Sequence, residues 1–176
     1  MSKVVIINGF PGSGKDTFVN MALLYWDQVY NIHTSDGVKG MLWELGWDGS
    51  KTPQTRKLLA DMLGFAYANN AVFKFVAEEV KAIHMHSSGK AIIFVHCREY
   101  ANVQALKLMF NATTLFIDRN AAESVAYSNS SDLRAGEHKE KYDTIVYNNG
   151  SLKILEYNAL AYLTTLIGGK KYDVQL

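Results

Sequence analysis

The stretch Gly9-Phe10-Pro11-Gly12-Ser13-Gly14-Lys15-Asp16-Thr17 lies between an apolar run, Val4-Val5-Ile6-Ile7, and a segment whose apolar residues Phe18, Met21, Ala22 and Tyr25 recur at helical spacing. The run reads as a buried strand and the segment as a helix. Glycines at 9, 12 and 14 let the connection turn tightly and approach an anion without a Cβ in the way, and the amides that follow, with the helix N-terminus, face that anion. Lys15 adds a mobile positive charge suited to the β and γ phosphates of a nucleoside triphosphate. Gly12, Ser13, Gly14, Lys15, Asp16 and Thr17 are therefore expected to hold such a ligand. One position departs from the common motif: the residue after the lysine is ordinarily Ser or Thr, a magnesium ligand, and here it is Asp16.

The rest of the chain suits a compact domain around that loop. A chain of 176 residues with 48% hydrophobic content can bury one good core, and no linker or composition break divides it, so residues 1–176 are read as a single domain. A formal net charge of +1 gives no reason to expect nucleic acid or membrane as a partner. Cys97 is the only cysteine, which excludes an intramolecular disulfide. The N-terminus lacks the pattern of a signal peptide and no apolar run approaches a membrane span, so a cytoplasmic location is the default expectation.

Strand-like and helix-like segments alternate, which implies crossover connections and a parallel sheet covered on both faces: a three-layer, doubly wound α/β fold with five strands. Strands are expected at 3–8, 28–33, 91–95, 113–117 and 142–147. Helices are expected from 16, then at 37–45, 53–67, 71–86, 100–110 and from 152. Thr52 and Ser151 read as helix caps, with Pro53 at a first helical position and Leu59, Met62, Leu63 and Ala66 forming a buried stripe. In such a sheet the ligand crevice lies at the carboxyl ends of the strands, so Ser35 and Asp36, Arg98 and Glu99, and Asp118 and Arg119 are expected to face the phosphate loop. An arginine directly after a buried strand is expensive to place unless it meets an anion or a carboxylate, which singles out Arg98. His84 and His86 do not share a helix face and read as a polar helix end, and Lys139 and Lys141 as a solvated charge run.

Four stretches resemble the P-loop nucleoside monophosphate kinases, and among them the bacteriophage-type deoxynucleoside monophosphate kinases. They are Gly-Ser-Gly-Lys-Asp-Thr at 12–17; Gly-Trp-Asp-Gly-Ser-Lys-Thr at 46–52 with Arg-Lys-Leu-Leu at 56–59; Val-His-Cys-Arg at 95–98; and Tyr-Asp-Thr-Ile-Val-Tyr-Asn-Asn-Gly-Ser at 142–151. The resemblance implies transfer of the γ-phosphate of ATP, with Mg2+, to a small phosphorylated acceptor such as a deoxynucleoside monophosphate. It implies an acceptor-binding helical segment at about 35–70 and a lid at about 119–141. It also makes Asp16 a family variation of the loop.

On this reading Lys15, Arg98, Arg119 and Arg134 are catalytic, with Arg134 or Arg119 arriving on the lid. Ser35, Asp36, Lys39, Trp47, Arg56 and Arg98 bind the acceptor, and Asp16 holds the metal. Lys39 has a second reading as a solvated helix residue. Trp47, Tyr67 and Tyr100 can each stack on a base or pack in the core. His96 stands where the family commonly carries an aspartate. Either Asp16 carries the metal in its place or activity is weakened, and His96 itself is a hydrogen-bonding pocket wall or a satisfied core histidine. Two further classes stay open: a P-loop kinase for another small molecule such as dephospho-coenzyme A, and a nucleotide-binding protein without kinase activity.

Overall fold

The computed structural model describes residues 2–50, 52–120, 135–136 and 138–168. The described residues form five strands: β1 (Lys3–Asn8), β2 (Val29–His33), β3 (Ile92–His96), β4 (Thr113–Asp118) and β5 (Thr144–Tyr147). Six α-helices accompany them: α1 (Lys15–Tyr25), α2 (Asp36–Glu44), α3 (Pro53–Ala68), α4 (Ala71–His86), α5 (Tyr100–Phe110) and α6 (Leu152–Ile167). All strand pairings are parallel and the order across the sheet is β2-β3-β1-β4-β5, so β1 is central. The order reverses around β1, since β3 lies on one side of it and β4 on the other. A ligand crevice opens at such a switch point, and the glycine-rich loop follows β1 into it.

The alternation of side chains along each strand builds the two faces. Val5 and Ile7 of β1, Ile92 and Phe94 of β3, and Leu115 and Ile117 of β4 pack against Phe18, Val19 and Ala22 of α1 and Leu155, Ala159 and Leu163 of α6. Ile6, Ile93, Val95 and Phe116 point the other way, onto Val38 and Leu42 of α2, Val72 and Val76 of α4, and Val103 and Leu106 of α5. Burial on both faces explains why the strands read as unbroken apolar runs. The α3 stripe is shallower than expected: Ala66 is buried, whereas Leu59, Met62 and Leu63 are half-buried against the same core. Among the described residues no helix is long and apolar enough to cross a membrane.

Strand ends differ from the sequence reading for local reasons. The third strand runs on to His96, which pairs with Ile7 and with His33. The fifth begins at Thr144 because Tyr142 turns inward onto Phe116, with ring centroids 5.3 Å apart, and Asp143 turns onto the start of β4. The Asp143 carboxylate accepts from the amide and hydroxyl of Thr114 at 2.8 and 2.9 Å and from Lys107 Nζ at 2.7 and 2.8 Å. Partial burial works against this carboxylate, but the bonds from Lys107 and Thr114 outweigh it and hold its pKa below the usual 3.8. A depressed folded-state pKa stabilises the fold above the unfolded value and ceases to do so as pH falls through the folded value. Asp143→Asn is thus expected to cost about 1–2 kcal/mol at pH 7. The gap between variant and parent in thermal melts should close below the ordinary aspartate range, and a gap that persists unchanged in strong acid would refute the ionic account.

Candidate functional site

Asn8, the last residue of β1, anchors the crevice. It is 1% exposed, and its amide donates to Arg98 O at 2.8 Å and Tyr142 Oη at 2.7 Å and reaches Ala135 O at 3.4 Å, while its Oδ1 accepts from Gly9 N–H at 2.8 Å. One side chain therefore fastens the start of the phosphate loop to the end of β3 and to the chain entering β5. Gly9 and Gly14 have φ of 149° and 97°, where an L side chain is strained. The space a Cβ would take at Gly14 is held by the Asn148 amide, which donates to Ser13 O at 2.8 Å, and the Asn148 N–H donates to Asp118 O at 2.7 Å. The loop is thus braced from β1 on one side and from the end of β5 on the other.

Lys15, at the first turn of α1, donates its ammonium to the carbonyls of Gly9 at 2.7 Å and Phe10 at 2.9 Å. The charge is folded back over the loop, beside the helix N-terminus that favours an anion. Arg119, directly after β4, donates to Gly12 O at 3.3 Å. Between Arg119, Asn148, Leu152, Leu155 and the loop lies an open cavity of about 240 Å³, apolar on the α6 side and polar at the loop. A guanidinium and leucine side chains beside a glycine-rich turn at a helix N-terminus are a lining that suits a planar base attached to an anionic group.

The other expected residues fall on the β2–β3 side. Asp36 Oδ2 accepts from His33 N–H at 2.8 Å and its Oδ1 pairs with Lys39 Nζ at 2.9 Å, so the half-exposed pair lies at the carboxyl end of β2. Ser35 precedes α2 and its hydroxyl makes no cap bond. Trp47 packs against the core, and its indole N–H donates to Ser50 O at 3.1 Å, which builds it into the α2–α3 connection. Arg56 is exposed in the first turn of α3, whose start is capped by Thr52. Arg98 is exposed too, because β3 ends at the open crevice. The expected cost of burying its charge therefore does not arise, and its position beside the loop, where Asn8 donates to its carbonyl, is what recommends it. Tyr100 lies 4.7 Å from the His138 ring and 6.1 Å from that of Tyr142. Asp118 is buried and pairs with Lys139 Nζ at 3.2 Å. Arg134 and most of the expected lid lie outside the described residues.

Asp16 is exposed and faces two histidines, His33 at the end of β2 and His96 at the end of β3. His96 is 7% exposed, and its Nε2 has no hydrogen-bond partner among the described residues, so it is not the satisfied core histidine of one sequence reading. Burial first, then the positive charge of neighbouring groups, push its pKa down to about 2, and burial also lowers that of His33, so both rings are neutral at pH 7. Burial raises the Cys97 thiol to about 12, which leaves it no role as a nucleophile at neutral pH. The sequence reading did not include His33, Asn8 or Asn148 in the site.

No protein-family model and no curated protein matches the chain. Solved structures do share its fold. The dephospho-CoA kinase from Campylobacter jejuni superposes with a TM-score of 0.59 at 11% identity, over 96% of this chain and 99% of that one. The shikimate kinase from Bacteroides thetaiotaomicron gives 0.56 at 14% identity over 95% and 99% of the two chains. The thymidylate kinase from Ehrlichia chaffeensis gives 0.52 at 14% identity over 92% and 98%. The narrower likeness to bacteriophage-type enzymes is carried by the sequence stretches alone; what the chain shares with these structures is the P-loop kinase fold, over nearly the whole length of each.

Proposed function

We propose that the chain is an ATP-dependent phosphotransferase acting on a small phosphorylated acceptor, with a nucleoside monophosphate the first candidate. The observation that carries this reading is the placement of Lys15 and its braced glycine loop at the switch point of the sheet, between two differently lined sides. On the β4–β5 side, Arg119, Asn148 and the α6 leucines border a cavity suited to the base of the donor. On the β2–β3 side lie Asp36, Lys39 and Arg98, with Arg56 on the helix that follows. Phosphoryl transfer asks for positioning and neutralisation of charge more than for covalent chemistry, so cations on both sides of a phosphate loop are what such a reaction uses.

Of the donors beside the loop, the Asp16 carboxylate suits a hard ion that keeps most of its waters, so Asp16 would hold Mg2+ together with the phosphates. When bound, that ion neutralises charge on the phosphate oxygens. Lys15 holds the transferring phosphoryl group, Arg119 orients the donor, and Arg56 and Arg98 fork onto the acceptor phosphate. The proteins that share the fold are named for three different acceptors, so the fold does not choose among acceptors.

A coupled ADP-release assay with ATP and Mg2+ against deoxy- and ribonucleoside monophosphates, shikimate and dephospho-coenzyme A tests the proposal. Turnover confined to one or a few monophosphates supports it. Tight ATP binding without turnover on any acceptor counts against it. Within an active pair, Arg56→Ala should raise the acceptor KM roughly 10- to 100-fold, the loss of a charged hydrogen bond, with little change in the KM for ATP. The reverse pattern would move Arg56 to the donor side.

A further inference from the structure

The register of the sheet places His33 of β2 directly opposite His96 of β3. Their rings lie side by side, centroids 4.2 Å apart and planes 28° from parallel. The first turn of α1 brings Asp16 over the pair, and a single oxygen, Oδ1, lies 3.5 Å from His33 Nε2 and 3.9 Å from His96 Nδ1. Both separations exceed the roughly 2.7–3.2 Å of an N–H···O hydrogen bond. They are close to the spacing of two ligands on one ion: donors about 2.0–2.1 Å from a tetrahedral centre lie roughly 3.3 Å from each other. One donor atom from each residue falls within 4.8 Å of the others, and among the described residues no other three His, Cys, Asp or Glu side chains are so grouped. Asp16 is exposed and His33 half-exposed, so core packing fixes neither side chain, and among the described residues the one other polar contact of His33 Nε2 is the Asn31 amide at a long 3.4 Å.

The chemistry of the three donors is selective. A neutral imidazole offers a nitrogen lone pair that favours Zn2+, Co2+, Ni2+ or Fe2+, whereas Mg2+ takes oxygen donors and gives up its waters reluctantly. Burying His96 with one nitrogen unsatisfied is unfavourable compared with an apolar residue of similar size. The nitrogen without a partner is Nε2; Nδ1, 3.9 Å from Asp16 Oδ1, is the one placed to face an ion. Lys15, Lys39 and Arg98 add positive charge nearby and oppose a cation, but Lys39 is paired with Asp36 and Lys15 is turned onto carbonyl oxygens.

We propose that Asp16, His33 and His96 form a binding site for a borderline divalent transition ion of the Zn2+ or Co2+ class, with open coordination positions beside the phosphate loop. With one carboxylate and two neutral rings, the bound ion keeps a net positive charge next to Lys15 and draws an anionic oxygen into those positions. The loop and the metal site would then share one ligand, a phosphate bridging the amides and the ion; with Asp16 committed to it, this ion takes the place beside the loop that the proposed function gives to Mg2+, and the identity of the metal becomes a property of these three side chains.

The probe is Co2+ alone, titrated into the intact protein purified without a histidine tag and followed by visible absorption, because the ligand-field bands shift and intensify when imidazole and carboxylate replace water. The expected result is a saturating band at one Co2+ per chain that Zn2+ abolishes and a large excess of Mg2+ leaves in place. His33→Ala and Asp16→Asn should each remove the band while far-UV circular dichroism stays that of the parent. His33 is half-exposed and Asp16 exposed, so neither change opens the core, whereas a His96 variant would. The double variant His84→Ala/His86→Ala, at the far end of α4, should leave the band intact. Absence of a band, its survival in His33→Ala, or its loss in the α4 double variant would overturn the proposal. No nucleotide enters the titration, so its outcome is independent of whether the chain turns over ATP.

Discussion

Lys15→Ala is expected to lower turnover of the active donor and acceptor pair about a thousandfold, the scale on which removing one preorganised charge from a transferring group acts. Its ammonium already lies over the loop, on the Gly9 and Phe10 carbonyls at 2.7 and 2.9 Å. On the proposed function those two contacts are exchanged for phosphate oxygens when the donor binds, so little reorganisation accompanies the reaction. The fold should barely notice the change. Lys15 is half-exposed, and water can reach both carbonyls once the side chain is gone. The thermal midpoint should therefore stay within a few degrees of the parent while kcat falls far more than ATP affinity does. Lys15→Arg should not rescue the rate, since a planar guanidinium on a different stem cannot place a point charge where the ammonium was. A Lys15→Ala protein that retained a rate within threefold of the parent would mean that the loop does not act on the transferring phosphoryl group.

How much of this was legible in the sequence depends on how local each feature is. The phosphate loop and β1 are contiguous, and continuous apolar runs at 4–7 and 91–95 marked strands buried on both faces, so the parallel three-layer architecture could be read directly. Caps were equally local: the hydroxyls of Thr52 and Ser151 accept from the amides three residues on, as their positions suggested. The buttresses of the loop are not local. Asn8 reaches across 90 residues to Arg98 O and 134 to Tyr142, and Asn148 reaches back 135 residues to Ser13. No periodicity marks an asparagine for such a role. Substitution of His96 for an expected aspartate drew notice, but its partner His33 carried no signal of its own, because their adjacency is created by the β2–β3 register. The burial argument for Arg98 failed for the opposite reason. It treated the end of a buried strand as buried, whereas the carboxyl edge of a doubly wound sheet is where the chain comes out to solvent.

Gly9→Ala is expected to damage the fold and the ligand site together. A Cβ at residue 9 would overlap the carbonyl oxygen of Ile117 and lie 2.7 Å from Ser13 Oγ. The hydroxyl can rotate away, but Ile117 is 0% exposed within β4, the strand paired to β1, so its carbonyl moves only if the sheet opens. The φ of 149° adds backbone strain of its own. Overpacking against an immovable backbone and a strained conformation each cost about 1–3 kcal/mol, so a loss of roughly 2–6 kcal/mol is expected in urea or thermal unfolding. ATP affinity should fall with it, since the Gly9 N–H to Asn8 Oδ1 bond that starts the loop would be displaced. Gly12→Ala separates the two contributions: its φ is 75°, yet nothing lies within 4 Å of the added Cβ. Only conformational strain remains there, about 1–2 kcal/mol. Equal losses from the two substitutions would show that the loop yields around residue 9 and that its packing against β4 is not what holds it. A clearly larger loss at Gly9, accompanied by weaker ATP binding, ties the geometry of the phosphate loop to the β1–β4 pairing beneath it.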